Sequence, residues 1–60
     1  MPRDETRGLL NLFGAAVTNL EDAIDRHAPV DEILRLDQEV AERARETFAF
    51  VDRLRSRRIA

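Results

Sequence analysis

The chain has no cysteine, lysine, tyrosine or tryptophan, and only one histidine. Without cysteine, no disulfide and no thiolate metal site can staple a small fold. The hydroxyls of Thr6, Thr18, Thr47 and Ser56 sit in no nucleophile motif, and Gly8 and Gly14 stand alone rather than in a phosphate-cradling loop. The Glu-x-x-His signature of di-metal helical bundles fails because Ile24 stands three residues before His27. No catalytic, cofactor-binding or metal-ligating residue is therefore expected. His27 is expected in the last turn of a helix, against its final carbonyls, with a pH switch as the alternative.

Long apolar runs are missing too. The longest uncharged stretch, GLLNLFGAAVTNL at residues 8–20, falls short of the roughly 20 residues a spanning helix needs. A secretory leader needs net positive charge at its start, and here Asp4 and Glu5 cancel Arg3 and Arg7. The expectation is a cytoplasmic protein with no membrane partner. Linkers, low-complexity segments and internal repeats are not found, and 60 residues allow a single domain, 1–60.

What remains is a strongly patterned, charge-rich chain of net charge −2. At 100° per residue, Leu9, Leu10, Leu12, Phe13, Ala16, Val17, Leu20, Ala23, Ile24 and Ala28 share one arc of about 160°. This spacing predicts an amphipathic helix over about residues 4–27. HAPVDEIL breaks it, because Pro29 cannot continue a helix but suits the first turn of the next. With a turn at about 28–29, a second helix is expected over about 29–57. Its apolar arc comprises Val30, Ile33, Leu34, Leu36, Val40, Ala41, Ala44, Phe48, Val51 and Leu54. Asp22/Arg26, Asp31/Arg35 and Glu39/Arg43 are acid-first pairs four residues apart, suited to supporting exposed helix faces.

A turn this short makes the helices antiparallel neighbours. The fold class is all-α, a two-helix antiparallel hairpin. Each arc is wider than one helix can cover, and a domain of this size buries only about 60% of its unfolded surface. A second hairpin would cover the rest, giving a homodimeric antiparallel four-helix bundle. Charge supports opposed loops. Residues 1–15 and 44–60 carry seven arginines and four acids, whereas residues 16–43 carry three arginines and eight acids. A dyad near Glu46 would set Asp37 against Arg55 of the other chain, Ala41 against Val51, and Ala44 against Phe48. These six residues form the expected dimer interface.

Phe50 falls outside the second arc, near Leu54, Arg43 and Arg57. A phenylalanine on a wet face is the candidate contact for a further protein partner, with those three residues around it. Gly8, Leu12 and Ala15 form a shallow strip suited to close helix approach. The rival reading uses the Arg-rich end, Arg53, Arg55, Arg57 and Arg58, to hold nucleic-acid phosphates. No aromatic lies inside that cluster to stack bases, and the overall charge is acidic.

DEILRLDQEV resembles the second helix of the small sporulation aspartyl-phosphate phosphatases, whose signature is Ser-Gln-Glu-Leu-Asp. Here the stretch reads Asp37, Gln38, Glu39, Val40, Ala41. The serine and final aspartate are missing, so the resemblance does not extend to the activity. In architecture the chain is similar to the RNA-binding hairpin dimer encoded by some plasmids, without a shared motif. The expected function is a small non-catalytic protein–protein interaction module: a regulator, adaptor or accessory subunit.

Overall fold

The computed structural model describes the backbone from residue 2 to 59 and side chains from residue 4 to 57. Two helices, α1 (Pro2–Asp25) and α2 (Val30–Ile59), form an antiparallel hairpin. Acids occupy both first turns, Asp4 and Glu5 in α1 and Asp31 and Glu32 in α2. There they face the positive ends of the helix dipoles.

The connection spans residues 26–29, two residues more than the spacing predicts. Its cause is the termination of α1. His27 takes a left-handed conformation, φ 57°. Its N–H donates to the carbonyl of Ile24 (3.1 Å), and the Ala28 N–H donates to that of Ala23 (2.9 Å). This paired pattern is a Schellman termination. His27 therefore lies outside the helix and is exposed, not in its last turn beside the apolar arc. Pro29 follows at once, and its carbonyl accepts from the amides of Glu32 (3.0 Å) and Ile33 (3.1 Å) to start α2.

The seam between the helices follows a strict alternation of three and four residues. On α1 it is Thr6, Leu9, Phe13, Ala16, Leu20 and Ala23; on α2 it is Ile33, Leu36, Val40, Arg43, Thr47 and Phe50. All twelve are buried or half-buried. This is the heptad rhythm of antiparallel helix pairing. Two cross-helix ion pairs mark the register. Arg26 meets Glu32 at 2.5 Å near the loop, and Arg53 meets Glu5 at 3.0 Å near the open end. Three heptads separate the two bridges on both helices, so no slip intervenes. Ala23 thus lies level with Ile33, Leu20 with Leu36, Ala16 with Val40 and Phe13 with Arg43. In two of the three layers nearest the loop an alanine stands opposite a larger residue, Ala23 with Ile33 and Ala16 with Val40.

Phe50 corrects the sequence-based expectation. It is 4% exposed and closes the seam at the open end, with the Arg53 guanidinium 5.4 Å from its ring centre. A fixed 100° wheel drifts by about 20° per heptad against a 3.5-residue repeat. Over the length of α2 that drift carries Phe50 into the seam and leaves Phe48 69% exposed.

The seam becomes more polar away from the loop. Arg43 lays its stem in the seam and turns its head out to Glu46, 2.8 and 3.0 Å from the two carboxylate oxygens. The Thr47 hydroxyl donates to the Arg43 carbonyl at 2.9 Å. Among the described residues no buried side-chain polar atom lacks a partner. No helix among them is long and apolar enough to cross a membrane.

Candidate functional site: an apolar flank opposite an ionic one

The seam divides the hairpin into two flanks of opposite character. Residues one position before seam residues carry Glu5, Asp22, Glu32 and Glu46, and Arg26 and Arg53 lie on the same side. Four of the five ion pairs among the described residues lie along this edge, which identifies it as an ionic flank. Arg26 bridges Asp22 (3.0 Å) within α1 and Glu32 across the hairpin. The Glu32 and then the Asp22 hydrogen bonds hold its pKa above the ordinary arginine value. The Glu46 hydrogen bond does the same for Arg43. Of the expected pairs four residues apart, Asp22/Arg26 forms. Arg43 turns to Glu46 rather than Glu39, and among the described residues Asp31 and Arg35 do not close.

Residues one position after seam residues make the other flank. On α1 these are Arg7, Leu10, Gly14, Val17, Glu21 and Ile24. On α2 they are Leu34, Asp37, Ala41, Ala44, Phe48 and Val51. Because the two bridges join the preceding positions of both helices, the following positions of both helices share the opposite side. Leu10, Val17, Ile24, Leu34 and Phe48 are all exposed there, Leu34 at 62%, and Val30 continues the row at 69%. An open groove of about 290 Å³ runs along it between Val17, Leu20, Glu21, Ile24 and Asp25. Isolated exposed apolar residues are ordinary; a row contributed by two helices is not.

The whole molecule carries the consequence. It measures 48 × 17 × 11 Å, one helix thick, with a radius of gyration of 14.3 Å. A compact 60-residue domain would have about 10 Å. Its accessible surface is 4944 Å², against about 4000 Å² for a compact monomer of this mass. The excess, about 900 Å², is close to the roughly 800 Å² each partner contributes to a standard stable interface.

The sequence-derived site residues separate on this framework. Ala41, Ala44, Phe48, Val51 and Asp37 lie together on the apolar flank, and Arg55 continues it toward the open end, 3.4 Å from its own Asp52. Phe50 and Arg43 belong to the seam, so the partner patch expected around Phe50 is not a surface. Leu54 is partly exposed and Arg57 exposed at its margin. In the Arg-rich end, Arg53 and Arg55 are already paired with acids, and the side chain of Arg58 lies outside the described residues. A Cβ added at Gly8 or Gly14 would meet nothing within 4 Å, so neither glycine is required by packing within the hairpin. The sequence reading did not set Leu10, Val17 and Ile24 apart as an exposed row. Their seven-residue spacing carried the signal, but the arc merged them with the seam.

Among the described residues no cluster of histidine and acidic side chains could hold a metal ion. Comparison with protein-family models, curated proteins and solved structures finds no match to this chain.

Proposed function

We propose that the chain is a non-catalytic protein–protein interaction module that works as a homodimer, a cytoplasmic regulator, adaptor or accessory subunit. The observation that carries this reading is the apolar flank, a continuous exposed row from both helices on a molecule one helix thick. Its occupant is a second copy. The excess surface matches one side of a standard interface, and the chain's charge polarity favours its own reverse: the loop end is acidic and the open end basic. Two hairpins stacked flank on flank with opposed loops bring unlike ends together. Loops at the same end would repel. The ionic flanks then face outward on both sides of a four-helix bundle. A reactive-group inventory of one histidine and no cysteine or tyrosine suits binding better than chemistry. Two of the arginines at the open end are already neutralised by acids, which favours protein over nucleic acid as the target class.

The test uses light scattering at micromolar protein. The native chain runs at twice its 6.9 kDa mass, and Leu34→Glu on the apolar flank runs as a single chain. Leu12→Glu, an exposed leucine on the ionic flank, stays dimeric. A native chain of single mass would end the proposal, and so would dissociation by Leu12→Glu alone.

A further inference from the structure

We infer that the two-fold axis of the homodimer crosses the apolar flank at Gly14 and Ala41, so that each helix packs antiparallel on its own counterpart. This deepens the homodimer reading above and rests on it. The register marked by the two cross-helix bridges puts Phe13 level with Arg43 and Ala16 with Val40. Gly14 and Ala41 therefore lie between the same two layers, side by side at mid-height of the flank. With Ala44 they are its smallest residues. Gly14 has open space where a Cβ would stand, the condition a helix needs to be approached closely by another backbone.

From that axis the remaining residues fall into complementary pairs. One heptad from Ala41 on either side are Leu34 and Phe48, the two most exposed large side chains of the row in the body of α2. The axis sets Leu34 of one copy against Phe48 of the other, and Val30 against Val51. One heptad from Gly14 on either side are Arg7 and Glu21, both exposed, and the axis sets them opposite each other. It also brings Leu10 against Val17, at the mouth of the groove that Val17, Leu20 and Glu21 line. By the spacing that pairs Val30 with Val51, Asp37 falls against Ala44 of the second copy, with Arg45 next to it in the chain. Apolar meets apolar at Leu34/Phe48, Val30/Val51 and Leu10/Val17, and base meets acid at Arg7/Glu21. A dyad near Glu46, expected from wheel positions alone, would instead set Leu34 against the turn at Arg57 and Arg58.

The chain's lack of cysteine makes the test direct. A disulfide forms only when the two Cα atoms lie within about 7 Å, which on antiparallel helices singles out residues at the axis. Ala41→Cys, oxidised in dilute solution, is expected to give a covalent dimer in high yield. Leu34→Cys, whose two copies would lie about 20 Å apart at 1.5 Å per residue, is expected to give little. In parallel, Arg7→Glu and Glu21→Arg are each expected to weaken the dimer severalfold, and the double exchange to restore it. On one chain these residues are about 21 Å apart, so restoration reports a contact between copies. If sedimentation shows a dimer but Ala41→Cys does not cross-link, or the double exchange does not restore affinity, the axis lies elsewhere and the homodimer stands. If the native chain sediments as a monomer, both fall.

Discussion

His27 carries the least favourable backbone in the hairpin. A residue with a Cβ in the left-handed region costs roughly 1–2 kcal/mol, and glycine occupies it freely. Among the described residues the histidine ring has no hydrogen-bond partner, and the Schellman pattern uses only backbone groups. His27→Gly should therefore stabilise the fold by about 0.5–1 kcal/mol after the added freedom of the unfolded chain is counted. Thermal melts should rise by several degrees; an unchanged or lower midpoint would show that the ring has a role the backbone does not reveal. Phe50 is the opposite case, since it closes the polar end of the seam. Phe50→Ala should cost about 3–5 kcal/mol, the range for deleting a buried aromatic, read as loss of helicity by circular dichroism. Glu5→Gln should cost less than about 1 kcal/mol, and less again in high salt, because its bridge to Arg53 is exposed.

At the scale of the element, the two glycines of α1 separate helix propensity from assembly. A Cβ added at either would meet nothing within 4 Å beyond its own turn of helix, so alanine at either should gain up to about 1 kcal/mol of helix stability. Gly8 lies toward the ionic side and Gly14 on the apolar flank. Gly8→Ala should raise the melting midpoint, whereas Gly14→Ala should weaken dimerisation by crowding the second copy. Equal gains from both would argue against close approach at Gly14. The existence of both helices and the place of the break were legible in the sequence, because apolar periodicity and Pro29 are local signals. The division of each arc into seam and flank was not. It depends on which of two adjacent stripes the partner helix covers, and it emerges only when Glu5 and Glu32 are seen bridged to Arg53 and Arg26. A straight wheel also hides the slow drift of a heptad stripe, which misplaced Phe50. The shift of the turn had a different cause: no glycine or asparagine marks His27 as a left-handed position.

The whole molecule is a single layer. Among the described side chains only Ala16, Ala23 and Phe50 are buried, two of them alanines, and a core that small does not offset the entropy of ordering 60 residues. The missing burial is available on the apolar flank, so pairing adds to the stability of the hairpin in this account, and the stability of the fold depends on protein concentration. The most direct test is the melting midpoint measured from about 1 to 100 μM. The account predicts that the midpoint climbs steadily with concentration, and that Leu34→Glu lowers it and removes the dependence. A cooperative transition at one temperature across that range, with the native chain well folded at the dilute end, would contradict it.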